Sequence, residues 1–481
     1  MSESTMTALE SCLPQLKCHF NWNLVEGGES LDEFEDEVCN ATEFQNNEFR
    51  ATVFNIQAYI EHRRGRSEAA LESLRRAEEL IRREHPEQAD LRSLVTWGNF
   101  AWVSYHLGRH ADAQMYVDKV RRVCAEARSP YRMESPELDF EEGWARLQCG
   151  GRHNERAKVC FKKALEKEPK NPDFASGLAI ASYRLDTWPQ PQNPVDPLRR
   201  AIRLNPDNQY AKVLLALKLQ KMKEEEEADR LVEEALKGAP GAIDVLCQAA
   251  KLYQRKGALD QAAELLRKAL EGSPDSTILH WRIGCLYRTK VLEMLQDSGR
   301  NEMSVQRAKL QETIEQAVYH LKRVDEASAE LPCVCSYLAC LYAQAGKYDA
   351  AEHYFQKEFS KELSPGARQV LHLRYGNFQL YQLKCEDKAI HYFIQGMKIN
   401  QESKEKEKMK NKLQKIACTR LSKNGTDSVA LHLLAFLQEL NGDMRPAEEN
   451  SERCLDSGSF LHSVSFTEDG INICYWWGDA G

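Results

Sequence analysis

Lys251 and Arg255 stand one helical turn apart in AAKLYQRKGALDQAAELLRKALEGSP, residues 249 to 274, a stretch otherwise patterned as packed helix. Two cations on one helix face are chemistry for an anion. The chain as a whole is acidic, with 65 Lys plus Arg against 73 Asp plus Glu and a net charge of -8. Bulk charge therefore excludes a histone-like basic coat, and any anion site has to be a local patch. Other chemistries lack their residues. None of the 25 glycines stands in a phosphate loop ending in Lys and Ser or Thr, and HExxH, GxSxG and GxGxxG are missing. The 13 histidines are dispersed, and His106 and His391 fall in helical segments where a packed or surface ring is the ordinary role. The 15 cysteines are single apart from CVC at 333 to 335, so neither a zinc ligand set nor a disulfide framework is expected. The expectation is a binding protein with no enzymatic activity, no metal and no cofactor.

The elements that position these cations repeat. Ala201, Ala235 and Ala269 are each 34 residues apart, and Pro206, Pro240 and Pro274 keep the same step. That period belongs to the tetratricopeptide repeat, a pair of helices per unit. Tyr253, Gly257, Ala262, Leu266, Ala269 and Pro274 supply the unit's aromatic, turn glycine, small contact residue, large apolar residue, second small residue and terminal proline. Small residues let the two helices approach, large ones fill the gap, and proline ends the second helix. Further copies are marked by Gly65, Ala70 and Ala77; Trp97, Gly108 and Ala113; Ala157, Phe161, Ala164 and Pro169; Tyr342, Gly346, Ala351 and Phe355; Gly376, Ala389 and Phe393; and Gly442 with Ala447. The expected fold is all-α: a tetratricopeptide-repeat superhelix, an α-solenoid of about eight or nine helix-turn-helix repeats in subgroups.

The frame slips at 125 to 139 and 186 to 196, both proline-rich, and at the polar stretch 292 to 309. These breaks divide the chain into N-terminal helices and first repeats (1–124), a middle group with possible swap hinges (125–240), a C-terminal superhelix (241–456) and a non-repeat, disordered tail (457–481). The N-terminus has no basic segment followed by an apolar one, and no apolar run approaches the roughly 20 residues of a membrane span. A cytoplasmic chain without membrane insertion is expected.

In such a stack the concave surface is lined by the first helix of each unit. In the 34-residue frame Lys251 takes position 9 and Arg255 position 13; Arg184 and Lys221 take position 13 of the two preceding units, and Arg288 position 12 of the following one. With Tyr183, Tyr210, Trp281 and Tyr287 on the same helices, these cations form a lane suited to a phosphate backbone with stacked bases. Any one of them taken alone reads more simply as a solvated helix end. The alignment of the set favours the groove. A second basic stretch, SKEKEKMKNKLQK at 403 to 415, alternates charge as a solvated helix does. Alternatively it extends the lane, and Lys410 within it joins the candidates.

Several runs, RSLVTWGNFAW, EEGWARLQCGG, YRLD and IRLNPDNQY, resemble the interferon-induced proteins with tetratricopeptide repeats. The resemblance extends from about residue 8 to 457, and SLDEFEDEV, LALKLQKM, YFQKEFSKEL and LHLRYGNFQLYQLKCEDKAIHYF resemble its member numbered 2. It implies an antiviral effector that binds RNA in a basic channel, pairs with its relatives and meets translation initiation factor 3. Arg184, Lys251, Arg255 and Arg288 stand at the family's channel cations, and Trp144 at its cap-stacking tryptophan. Where end-recognising relatives grip a 5′-triphosphate or cap, this chain has Glu37, Ala41, Gln45, Asn47, Gln148 and Asn154. Strong 5′-end recognition is therefore not expected. Single-stranded, AU-rich RNA is the implied ligand, and inhibition of viral translation or replication the implied outcome. At the family's C-terminal pairing helix, Ser451 precedes Leu455 where relatives carry Tyr. The other function class left open is a protein scaffold in innate immune signalling or apoptosis without direct RNA binding.

Overall fold

The computed structural model describes residues 3–25, 50–125, 127, 129–186, 193–296, 303–328 and 331–440. These are helical throughout, with no β-structure among them beyond the isolated bridge Ser129–Arg132. Packing divides the chain into two compact units that meet in sequence at Pro274 and Asp275.

Unit 1 opens with α1 (Glu3–Cys12) and continues as helix pairs: α2 (Arg50–Arg63) with α3 (Ser67–Glu84), α4 (Leu94–His106) with α5 (His110–Val123), and α6 (Pro136–Gln148) with α7 (Asn154–Lys167). Then follow α8 (Pro172–Arg184) with α9 (Val195–Leu204), α10 (Gln209–Lys221) with α11 (Glu225–Gly238), and α12 (Ile243–Arg255) with α13 (Leu259–Gly272). Unit 2 pairs α14 (Thr277–Gln296) with α15 (Met303–Ala327), α16 (Val334–Gln344) with α17 (Tyr348–Phe359), α18 (Pro365–Asn377) with α19 (Glu386–Met397), and α20 (Lys404–Lys423) with α21 (Ser428–Leu440). The repeat fold is as expected. Two of these pairs carry no mark of the frame in sequence. The polar break at 292 to 309 is largely taken into the helices themselves, so α14 and α15 reach 20 and 25 residues. The lysine-rich stretch becomes α20, started by Ser403, whose hydroxyl accepts from the Lys406 amide.

The repeat residues do the work the frame assigns them. Ala157, Ala164, Ala201, Ala235, Ala262 and Ala269 are fully buried, as are Phe161, Phe355 and Phe393. Phe161 fills the space left by two glycines: a Cβ on Gly177 or Gly143 would come within 2.4 and 2.8 Å of its ring. Asn171 and Asn208 start α8 and α10 by accepting backbone amides. The turn between the two helices of a unit needs positive φ, supplied by Gly257 at +77°. In the α10–α11 unit Lys223 takes that conformation at +66°. Among the described residues no helix is long and apolar enough to cross a membrane. Gly442, Ala447, Ser451, Leu455 and the tail lie outside the described residues, as do Glu37, Ala41, Gln45 and Asn47.

Candidate nucleic-acid interface

Unit 1 gathers its cations by laying like helix ends side by side. α10 ends at Lys221 and α12 at Arg255, each the first helix of its repeat, at the carbonyl end where positive charge is favoured. Stacking of the two repeats makes these ends neighbours. Gln220, Lys221, Glu225, Arg255 and Lys256 line one cleft of about 560 Å³. Lys221 and Arg255 are exposed, and among the described residues neither forms an ion pair, whereas Lys256 is held by Asp229. Gln220 donates its Nε2 to the Leu252 carbonyl at 3.1 Å, which fixes the amide, and its buried Oε1 has no hydrogen-bond partner. The cleft therefore offers two uncommitted cations, a combination that suits an anionic ligand.

The other unit 1 candidates sit differently. Arg184 ends α8, is half-buried, and donates to the Leu147 carbonyl of α6. Burial pulls its guanidinium below the ordinary arginine value, with Tyr210 acting in the opposite sense. Tyr183 is half-buried against the apolar core, and Lys251 is half-buried on α12. None of these three lines the cleft. Trp144 is 5% exposed and meets Phe161 edge-on, ring centroids 5.7 Å apart, inside the core; Gln148 and Asn154 are buried as well.

Unit 2 brings Trp281 and Arg288 together through a residue that the sequence pattern hid. Trp281, on α14, stacks on Tyr337 of α16 at 5.5 Å and 10° between planes. The Arg288 guanidinium lies 4.4 Å from the centre of the same ring, and the guanidinium of Arg374, on α18, lies 4.5 Å from it. Tyr337 is 3% exposed, and burial pushes its hydroxyl up to about 12, so it stays protonated at neutral pH. Such guanidinium-on-ring contacts contribute roughly 0.5–2 kcal/mol each and hold the charged planes in place. Lys410 is half-buried on α20 with Glu407 at 3.7 Å as its ion-pair partner. Two residues on, Lys412 lies 4.9 Å from the centre of the Tyr381 ring and donates to its hydroxyl.

Four residues of these clusters escaped the sequence reading: Gln220, Lys256, Tyr337 and Arg374. Tyr337 reads as core, which it is. Continuing the series of first-helix cations past Arg288 leads to Arg374, but α14 and α15, at 20 and 25 residues, lengthen the chain between them and break the 34-residue count.

Comparison with known proteins agrees with this architecture. The tetratricopeptide repeat family model matches residues 243–276. The human interferon-induced protein with tetratricopeptide repeats 2 is 65% identical over 469 residues, 97% of this chain and 99% of that protein. The human antiviral innate immune response effector IFIT1 is 41% identical, covering 95% of this chain and 97% of its own. A solved structure of a monomeric IFIT1 mutant with Gppp-AAAA superposes with a TM-score of 0.75 at 41% identity, covering 93% of this chain and 99% of that one. The human IFIT1 dimer with m7Gppp-AAAA superposes at 0.70 and 40% identity, over 93% of this chain and 99% of that one. With its repeats, its helix order and its full-length relatives in agreement, this chain belongs to the family of interferon-induced proteins with tetratricopeptide repeats.

Proposed function

We propose that this protein is an antiviral effector that binds single-stranded RNA on the cation-bearing first helices of its repeats, favouring AU-rich sequence and making no strong contact to the 5′ end. The observation that carries the reading is the cleft in which Lys221 and Arg255 stand exposed and without ion-pair partners among the described residues. A solved relative in the family holds Gppp-AAAA, which supports RNA as the ligand class. Base preference then comes from stacking and a few polar contacts, while the cations supply salt-dependent affinity. The action is binding rather than catalysis, and it takes place in the cytoplasm, where it inhibits viral translation. Related chains, a second copy of this one and translation initiation factor 3 are the proposed partners; the dimer of a relative supports the pairing.

Titration of the purified protein into labelled AU-rich, GC-rich and 5′-triphosphate single strands at two salt concentrations tests this. The wild type is expected to bind AU-rich RNA in a salt-sensitive manner, with no gain from the triphosphate. The double variant Arg184→Glu with Arg255→Glu is expected to lose at least about tenfold in affinity. A folded wild type that binds none of the three would leave the scaffold function in its place.

A further inference from the structure

The outer layer of unit 1 carries a charge pattern that the packing of repeats does not call for. Second helices form that layer, and on α3 and α5 charge is balanced within the helix: Arg75 and Arg76 pair with Glu72, Arg82 with Glu78, and Arg121 with Asp118. α7 is different. Its 14 residues hold five cations against two carboxylates, and Lys158 with Lys162 and Lys163 with Lys167 are like charges four apart, a spacing at which they repel. Ala157, Cys160, Phe161 and Ala164 turn inward, while Val159 leaves from the opposite side, 45% exposed, with Lys162 and Lys163 exposed on its two flanks. A solvated helix gains nothing from a β-branched apolar residue there. The patch continues past the helix end. Arg200 of α9 donates its Nη2 to the Pro169 carbonyl at 2.7 Å, which ties α9 to the end of α7, and Lys170 and Arg203 are exposed as well. Among the described residues Lys162, Lys163, Lys170 and Arg203 form no ion pair. The sign then reverses at α11, with six carboxylates against two cations, and the pair Arg199–Glu227 at 2.9 Å marks the boundary.

We propose that the outer face of α7 and α9 docks an acidic segment of a partner protein, its carboxylates meeting Lys162, Lys163, Lys170 and Arg203 and one of its apolar side chains covering Val159. Charge complementarity carries the choice of occupant. Carboxylates relieve the repulsion among the lysines, and the acidic α11 beside the patch repels a segment that overruns it, which confines the footprint to α7 and α9. A nucleic acid fits this face poorly. The one aromatic side chain of α7, Phe161, is fully buried and α9 has none, so no ring is presented for a base to rest on. The face lies on second helices, whereas Lys221 and Arg255 end first helices, so a protein partner and a nucleic-acid strand do not compete for the same residues.

The test uses the full chain and two labelled peptides of equal length, one with Glu and Leu alternating at helical spacing and the other polyglutamate, each titrated at two salt concentrations. Wild type is compared with Lys162→Glu plus Lys163→Glu, with Val159→Ser and with Arg255→Glu, and the melting temperature of each is followed in parallel. Wild type is expected to bind both peptides in a salt-sensitive manner and the Glu/Leu peptide more tightly. The double reversal is expected to lose about tenfold for both. Val159→Ser is expected to lose about threefold for the Glu/Leu peptide and nothing for polyglutamate, because only the first has a side chain to cover the valine. Arg255→Glu keeps peptide binding; a loss there as large as in the double reversal moves the peptide to the unit 1 cleft and overturns the proposal. A wild type that takes neither peptide at the lower salt overturns it too. So does a double reversal that weakens single-stranded RNA as much as it weakens the peptides, since the face then belongs to nucleic acid. Should the double reversal fail to fold, Lys163→Gln combined with Lys170→Gln carries the test, and unchanged peptide affinity in that variant counts against the docking face.

Discussion

Phe161 shows how single residues set the spacing of this stack. Its ring is in contact with the helix backbones at Gly143 and Gly177, so one methyl group at either glycine has no room. Gly177→Ala is expected to destabilise unit 1 by about 1–3 kcal/mol, read as a lower urea midpoint. His19 gives the pH dependence. It is fully buried, its backbone amide donates to Asn99 Oδ1, and burial lowers its ring to about 3. The folded state therefore binds fewer protons there than the unfolded chain, whose histidine titrates near 6.5. Stability is fully present above that value and is lost as pH falls through the window down to about 3. The expected loss from this group by pH 4 is on the order of 3 kcal/mol, and urea midpoints of wild type and His19→Gln across that range measure it. At this scale the sequence was legible where position alone decides. Lys221 and Arg255 were found because position 13 ends the first helix in both of their repeats. Tyr337 and Arg374 were not, because what matters about them is a contact between helices 37 residues apart.

Helix ends are decided by their immediate partners. α16 begins at Cys333 in a left-handed conformation, φ +73°, with no side-chain cap of its own. Glu358 from α17 reaches back instead, accepting the Cys333 and Cys335 amides, and Lys361 balances it while donating to the Leu331 carbonyl at 2.8 Å. Glu358 and Lys361 are 1% and 8% exposed. Glu358→Ala leaves two amides and a buried ammonium unpaired, and is expected to cost about 3 kcal/mol, measured by chemical denaturation. No sequence pattern announces such a cap, since the residues are 23 and 25 apart and belong to different helices. The lysine-rich stretch shows the opposite case. Its alternating charges promised a helix and α20 is one, but the role of Lys410 depends on its surroundings, and there the partner is Glu407.

Two compact units make the whole molecule divisible in its unfolding. Repeat arrays are stabilised by neighbours rather than by one shared core, so all-or-none unfolding is not required of them. Denaturation of the full chain is expected to show more than one transition, with Glu358→Ala shifting the transition of unit 2 and Gly177→Ala that of unit 1. Coincident shifts of a single transition in both variants would count against this. The sequence by itself determined the helix pairs, their small-residue contacts and the acidic bulk with local cations, because each follows from a period of 34 residues or of one helical turn. It also carried the family, through runs long enough to be specific. Only the tertiary structure decided which cations stay uncommitted: Lys221 and Arg255 open to a cleft, Arg184 half-spent on a carbonyl, Arg288 joined to Arg374 across Tyr337. The reason is physical. Periodicity fixes the face a side chain leaves from, while its charge is free or satisfied according to what the neighbouring repeat brings within a few ångströms.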